Sequence, residues 1–181
     1  MSPGKVRTRE RIKAAALELF DEQSYGTTTL QDIADRLGLT KAALYYYFKT
    51  KDELLEEISA PFLDGFQRIV TDAEARPHAP DELRTLLLAL TTHLLGQRRM
   101  VTVLAFDRSV TKHAVKQRMH ELTDRTVALL VGPQAQPAQV VRARATIGAI
   151  MIPVLSLPAE TDGADVAATI SAVAGDTLKL E

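Results

Sequence analysis

The sequence contains no cysteine, and aromatic residues make up only 5% of its 181 positions. Without cysteine the chain can form neither disulfides nor thiolate metal sites. The longest apolar stretch, residues 145–157, contains Pro153 and is too short to span a bilayer. The basic N-terminus is not followed by the apolar core that defines a secretory signal. These absences favour a cytoplasmic protein without a membrane partner.

Signatures of catalysis are absent as well. No glutamate is followed three residues later by a histidine, and no two histidines stand three or four residues apart, so metal pairs of the helical type are not expected. The chain has no G-x-S-x-G sequence and no cysteine nucleophile. We therefore expect no enzymatic activity, no metal and no cofactor.

Charge is informative only locally. The net charge is −1, so the chain as a whole does not indicate a nucleic-acid partner. Residues 5–13, however, contain five basic side chains against one acid, and residues 40–51 contain three lysines and no acid. The two clusters could form one positive surface if folding brings them together. The alternative for the first cluster is a solvated helix start.

Apolar residues recur at steps of three and four almost throughout, which is typical of amphipathic helices. The composition, 46% hydrophobic and 25% charged, is that of a globular chain long enough for one or two domains. We expect an all-α protein of about nine helices, the fourth of them started by a capping box at residues 50–53. The expected helices cover residues 8–23, 30–37, 41–48, 51–75, 81–95, 97–109, 112–131, 138–156 and 164–179.

Residues 29–48 predict a helix-turn-helix. Thr29 and Asp32 form a capping box, in which each side chain bonds the other's backbone amide at the start of a short helix. Gly38 suits the left-handed residue that ends this helix, and Thr40 can cap the next one. The spacing is that of motifs whose second helix enters the major groove of DNA.

Three consecutive tyrosines, Tyr45, Tyr46 and Tyr47, lie in the second helix of this motif. If Leu44 and Phe48 form its buried face, Tyr46 points directly away from the core and the other two flank it. A core therefore has no place for all three rings. The alternative is that one or two of them pack back on the domain.

The outward face of the same helix also carries Ala42 and Ala43, and Lys41 stands at its start. Small side chains let a helix approach base edges, and alanine can contact a thymine methyl group. Tyrosine hydroxyls can donate to phosphate oxygens, and lysine supplies salt-dependent attraction. Lys51 lies in the first turn of the following helix, where free amides also favour a phosphate. Such a face suits DNA better than water.

The segment from Arg7 to Ile58 resembles the DNA-binding domain of the TetR family of bacterial repressors. The matching features are Ala-Ala-Leu-x-Leu-Phe in the first helix, Thr-Thr before the second, Asp-Ile-Ala with a closing Gly, and Leu-Tyr-Tyr-x-Phe in the third. The resemblance implies an all-helical homodimer. It places a DNA-binding domain at residues 1–50 and a C-terminal domain, which binds a small molecule and dimerises, at residues 51–181.

Carried over position by position, the resemblance places ten residues at DNA. Two positions depart from the family pattern: Ser24 replaces a usual glycine, with Gly26 two residues later, and Lys13 replaces a usual aliphatic side chain. Residues 41–43 would face bases, whereas the threonines and Lys51 would hold phosphates; which tyrosine touches a base stays open. The predicted DNA-binding residues are Thr28, Thr29, Thr40, Lys41, Ala42, Ala43, Tyr45, Tyr46, Tyr47 and Lys51.

The C-terminal part offers two further sets of candidates. The helices at 138–156 and 164–179 have small apolar faces, which permit close packing, so we expect them to pair with their twofold mates. The alternative is that they complete the core of one chain. A ligand pocket is expected between the fourth helix and the middle helices. The dimer candidates are Ile147, Ile150, Val154, Val166, Ile170 and Val173, and the ligand candidates are Phe62, Phe66, His93, Met100, Leu104, Phe106 and Met119.

These expectations together describe a homodimeric, sequence-specific repressor. Two recognition helices roughly 34 Å apart would read palindromic double-stranded DNA. A small molecule of unknown class that favours the wrong spacing would release it. The alternative is a helix-turn-helix regulator without a small-molecule effector, controlled by its abundance or by another protein.

Overall fold

The computed structural model describes residues 3–107, 109–110, 114–158, 161 and 163–179. Within these residues the regular secondary structure consists of α-helices and one short 3-10 turn. This confirms the all-α prediction. The helices of the described part are α1 (Pro3–Gln23), α2 (Leu30–Leu37), α3 (Lys41–Tyr47), α4 (Lys51–Glu74), α5 (Pro80–Gly96), α6 (Arg98–Phe106), α7 (Ala114–Val131), α8 (Pro137–Ser156) and α9 (Gly163–Leu178).

Helix boundaries differ from the prediction by more than two residues at two places. α1 begins at Pro3 rather than at residue 8, since proline is well tolerated in the first turn of a helix. α6 ends at Phe106 rather than at residue 109, because the carboxylate of Asp107 accepts the backbone amide of Ser109 at 2.9 Å and turns the chain away from helical geometry. The predicted start of α7, at residue 112, lies outside the described residues.

The chain divides into two compact units. The first unit contains the described residues of Met1–Phe62 and Arg99–Gln117, and the second contains those of Leu63–Arg98 and Arg118–Glu181. The two units are groups of residues that pack together in space, and their limits do not coincide with the predicted boundary at residue 50. The boundary at residue 50 stays a prediction about function.

The apolar stripe of α1 supplies the core of the first unit. Its buried residues are Ile12, Ala15, Ala16, Leu19 and Phe20. α2 has 8 residues and α3 has 7, and isolated helices shorter than roughly 12–15 residues are marginal in water. α2 therefore depends on burial against α1, and α3 packs in turn on α2. Each fully buried Leu, Ile or Phe side chain contributes about 1.5–3 kcal/mol.

Caps fix both short helices as the sequence predicted. Thr29 Oγ1 accepts the amide of Asp32 at 3.1 Å, and the Asp32 carboxylate accepts the amide of Thr29 at 2.8 Å. Gly38 closes α2 in the left-handed conformation, with φ of 65°. Thr40 Oγ1 caps α3 by accepting the amide of Ala43 at 3.1 Å.

The capping box predicted at the start of α4 forms only in part. Thr50 Oγ1 accepts the amide of Glu53 at 3.0 Å, as expected. The Glu53 carboxylate, however, accepts the amide of Lys49 at 2.8 Å instead of that of Thr50. The carboxylate therefore reaches one residue further back and closes the junction between α3 and α4.

The turn between α1 and α2 has the backbone conformation that suits a glycine at residue 24. Ser24 has φ of 77°, in the left-handed region, which costs a residue with a side chain about 1–2 kcal/mol. The amide of Thr28 donates to the Ser24 carbonyl at 3.2 Å and closes the turn. Ser24 therefore replaces the usual glycine and still adopts a left-handed backbone conformation.

In the second unit α9 packs against both α5 and α8. The buried residues of α9 are Ala167, Ile170, Ala174 and Gly175. Small residues of this kind allow helices to approach closely. His93 of α5 likewise lies so near α4 that a β-carbon at Gly65 would come within 2.4 Å of the imidazole.

α8 is long and apolar enough, by length and composition, to cross a membrane, and it is the one such helix among the described residues. This corrects the expectation that its apolar stretch is too short, because the helix begins well before residue 145. Core helices of globular proteins meet the same criterion. Four of its residues are buried in the protein: Ala143, Thr146, Ile150 and Val154.

Candidate nucleic-acid interface

Five exposed residues, which we call the α3 face, project from α3 and the residue pair that follows it: Lys41, Ala42, Tyr45, Tyr46 and Lys49. Leu44 and Phe48 are fully buried, and their spacing of four turns the residues between them outward, as the sequence predicted. Ala43 and Tyr47 are half-buried at its edges. The α3 face is therefore aromatic and cationic, with no acidic residue in the chain between positions 40 and 51.

Tyr46 is the most exposed of the four tyrosines, with 61% of its surface accessible. Lys5 Nζ donates to its hydroxyl at 2.9 Å and lies 4.5 Å from the centre of its ring. The hydrogen bond and the charge of Lys5 lower the pKa of Tyr46 from its ordinary value. The two basic clusters of the sequence therefore meet at this pair.

The flanking tyrosines differ in how they are held. Lys41 Nζ lies 5.8 Å from the centre of the Tyr45 ring, and Lys49 Nζ donates to the Tyr45 carbonyl at 2.7 Å. The Tyr47 ring meets Tyr46 edge-on, with 5.3 Å between ring centres. One tyrosine of the three thus packs partly against the domain, while the other two stay exposed.

Arg9 ties α1 to both α3 and α4. Its Nε donates to Glu57 Oε1 at 2.7 Å, and its Nη1 donates to the Tyr47 carbonyl at 2.9 Å. The guanidinium also lies 4.3 Å above the ring of Phe48. The hydrogen bond from Arg9 lowers the pKa of Glu57, so the pair stays ionised at neutral pH. Sequence reasoning placed Arg9 only in a basic cluster, because its acidic partner lies 48 residues away.

Lys51 bonds the chain itself, and its assignment to DNA stays a prediction. Its Nζ donates to the carbonyls of Tyr25 and Thr28, the latter at 2.7 Å, and lies 4.3 Å from the centre of the Tyr25 ring. Burial lowers the pKa of Lys51. The ammonium group therefore holds the turn between α1 and α2.

The three predicted threonines divide in a similar way. Thr28 is fully buried, and its hydroxyl donates to the Ser24 carbonyl at 2.7 Å, so its side chain is not available to a phosphate. Thr29 and Thr40 are exposed at the starts of α2 and α3. They remain candidate contacts beside the α3 face.

The predicted ligand-binding residues are mostly buried. Four are fully or almost fully buried: Phe62, Phe66, Met100 and Leu104. His93 and Met119 are half-buried, whereas Phe106, the last residue of α6, is 66% exposed. The second unit contains a cavity of about 320 Å³ with His78 and Arg142 on its walls, and none of the seven candidates lines it. The seven ligand assignments stay predictions.

Half of the predicted dimer residues are buried within a single chain. Ile150, Val154 and Ile170 are buried, Ile147 and Val166 are half-buried, and Val173 is exposed. The exposed apolar surface of α8 lies along another line of the helix, at steps of four and three residues. We call this line the α8 stripe: the exposed Val141, Ala145 and Ile152 with the half-buried Gly148 and Leu155.

Residues 12–58 match the family model for bacterial regulatory proteins of the tetR family. The match covers most of α1, all of α2 and α3, and the beginning of α4, which are the elements that build the α3 face. The resemblance recognised in the sequence is therefore confirmed.

Curated relatives of the chain are transcriptional regulators. The HTH-type transcriptional repressor KstR2 of Mycolicibacterium smegmatis is 36% identical over 105 residues, which are 56% of this chain and 49% of the relative. The HTH-type transcriptional regulator AcrR of Shigella flexneri is 26% identical over 156 residues, 77% of this chain and 72% of the relative. The chain spans about half the length, or less, of the KstR2 relatives that it matches.

Solved structures share the fold over nearly the whole chain. The ketosteroid transcriptional regulator KstR2 of Mycobacterium tuberculosis superposes with a TM-score of 0.76 at 19% identity, covering 93% of both chains. A TetR/AcrR-family regulator from Thermobifida fusca has a TM-score of 0.62 at 27% identity, covering 94% of this chain and 97% of its own. With its helix-turn-helix, the segment of residues 12–58 therefore carries the DNA-binding region that the family model of tetR-type bacterial regulatory proteins describes.

Replacing Lys51 by methionine should lower the free energy of unfolding by about 1–3 kcal/mol, because the carbonyls of Tyr25 and Thr28 lose their donor. Urea unfolding followed by circular dichroism measures the change. Lys49→Met, at an exposed lysine two residues away, is the matched control and should change stability by less than about 0.5 kcal/mol. Equal effects of the two substitutions would contradict the structural role of Lys51.

Proposed function

We propose that the chain is a DNA-binding transcriptional repressor that acts as a homodimer on palindromic operators and is released by a small molecule. The observation that carries the proposal is the α3 face, which presents two exposed tyrosines and two lysines beside Lys5. An exposed face of this composition is poorly matched to water and well matched to a nucleic-acid groove.

The side chains of the α3 face suit the major groove. Ala42 is small, so α3 can approach base edges and contact a thymine methyl group. Tyr45 and Tyr46 carry hydroxyls that can donate to phosphates, and Lys5 and Lys41 supply the salt-dependent attraction. The proposed DNA contacts are Lys5, Thr29, Thr40, Lys41, Ala42, Ala43, Tyr45, Tyr46 and Tyr47.

A twofold dimer would let two α3 helices read one palindrome, with about 34 Å between them. The α8 stripe supports such a dimer, since Val141 and Ile152 are 67% and 70% exposed apolar residues on one helix. Ala145 and Gly148 lie between them and would permit close contact between two copies. The proposed interface is the α8 stripe with Val173, backed from inside the chain by the buried Ile150, Val154 and Ile170.

Release would follow if a ligand bound better to a dimer whose α3 helices have the wrong spacing, and such couplings typically amount to about 1–3 kcal/mol. A helix-turn-helix regulator without an effector would use the same α3 face and lack only this step. The proposed location is the cytoplasm, where bacterial DNA lies.

Selection from a random library of double-stranded DNA tests the proposed function. The wild-type protein should enrich a palindrome whose half-sites lie about one helical turn apart, because two α3 helices bind one face of the duplex. Binding should weaken steeply as salt rises. A folded protein that enriches no sequence, or does not bind the library, would rule the proposal out.

Variants of the α3 face separate charge from hydrogen bonding on the selected DNA. Lys41→Met should lower the slope of log affinity against log salt by about one for each bound α3. Tyr46→Phe loses only a hydroxyl and should weaken binding by about threefold to tenfold with the slope unchanged. Arg68→Gln, which removes an exposed charge from α4 in the second unit, is the control. Affinities equal to wild type in both α3 variants would contradict the assigned contacts.

Ile152→Glu should convert the dimer into a monomer, because a dimer through the α8 stripe would bury an unpaired carboxylate. The side chain is exposed in one chain, so the fold should survive, and circular dichroism checks this. Sedimentation velocity measures the state of association. Leu88→Glu, at an exposed apolar residue of α5, is the control and should remain dimeric. A dimer that persists unchanged in Ile152→Glu would exclude this interface.

A further inference from the structure

Asp107, the residue after α6, holds the turn that leads into the helix-turn-helix. Its carboxylate accepts the backbone amide of Tyr25, and the amide of Gly26 lies 3.4 Å from the same oxygen. The other oxygen accepts the amide of Ser109 at 2.9 Å and the hydroxyl of the same serine. Asp107 lies outside residues 12–58, so the family match assigns it no role. All of these residues belong to the first unit.

Two side chains, Asp107 and Lys51, hydrogen-bond the backbone of this turn. Its amides donate to Asp107, whereas the carbonyls of Tyr25 and Thr28 accept from Lys51. The buried ring of Tyr25 packs edge-on against Phe20, with 5.1 Å between ring centres. The turn is thus clamped between the end of α6 and the first turn of α4.

Close packing at the same place leaves the turn little freedom to shift. A β-carbon on Gly26 would lie 3.1 Å from Ser109 Oγ, so the two segments already touch. Burial raises the pKa of Asp107, but the hydrogen bonds from Ser109, Tyr25 and Gly26 outweigh burial and leave the pKa below its ordinary value. The carboxylate is therefore ionised at neutral pH and accepts hydrogen bonds with full negative charge.

The clamped turn runs directly into the N-cap of α2. Thr29 caps α2 three residues after Gly26, and α3 follows α2 through a short turn. A shift of the turn at residues 24–28 would therefore move α2 and, with it, the orientation of the α3 face. The end of α6 is far from this turn in the sequence, and the Asp107 side chain joins the two by hydrogen bonds.

We propose that Asp107 is a positioning residue for DNA recognition, which fixes the α1–α2 turn and thereby sets how α2 and α3 meet the operator. The proposal rests on the proposed function. Asp107 acts on DNA only through the residues that it orients, because its negative charge is repelled by phosphate. A change in the position of the end of α6 would act on DNA affinity through the same carboxylate.

Asp107→Asn tests this proposal because positioning and simple charge effects have opposite signs. Removing a negative charge from the unit that carries the α3 face should tighten DNA binding if only charge matters. Loss of position should instead weaken binding to the selected palindrome by about tenfold, while binding to random DNA stays equal or becomes slightly tighter. Asp72→Asn, at an exposed residue of α4, carries the same charge change and should leave the ratio of the two affinities unchanged.

Hydrogen exchange provides a readout that does not depend on DNA. The amides of residues 25 and 26 should exchange faster in Asp107→Asn than in wild type, with the rest of the first unit unchanged. The affinities for the palindrome and for random DNA could instead fall together, in proportion to the unfolded fraction that circular dichroism measures. That result would show a merely structural role and overturn the proposal. Unchanged specificity would also overturn it. A wild-type protein without sequence preference would instead remove the proposed function on which the inference rests.

Discussion

The marginal stability of a seven-residue helix is the constraint on which the DNA-binding unit depends. α3 is too short to persist alone, so Leu44 within it and Phe48 directly after it must be buried in the core. Anchors spaced by four residues leave the positions between them facing outward. Arg9 adds a fixed point by bonding the Tyr47 carbonyl and stacking on Phe48. The burial that makes α3 stable is therefore also what exposes its tyrosines.

Most of the fold could be predicted from local sequence patterns, because the interactions behind these patterns join residues about one helical turn apart. The Thr29 capping box, the left-handed Gly38 and the α1 stripe all follow from spacing alone. Lys51 and Thr28 show where such reasoning ends. Both have side chains suited to a phosphate, yet each bonds backbone carbonyls that only the folded turn brings near. Spacing shows that a cation stands at a helix start and not whether it faces solvent or protein.

The same limit applies to long-range partners and to the C-terminal helices. Arg9 and Glu57 are 48 residues apart, and Asp107 and Tyr25 are 82 apart, so no local motif links them. In α8 and α9 the small apolar faces fitted either a second copy or the chain's own core. α5 decides part of this question, because it packs against α9 within one chain and helps to bury the side that holds Ile170. What remains exposed, the α8 stripe, became recognisable only once that packing was known.

The α3 face as the surface that meets DNA is the central claim, and backbone amide chemical shifts test it most directly. Isotope-labelled wild-type protein would be titrated with the palindrome that it selects. The largest shift changes should fall on residues 40–46 and on Lys5, which adjoins Tyr46. Largest changes elsewhere, with residues 40–46 unmoved in the saturated complex, would contradict it.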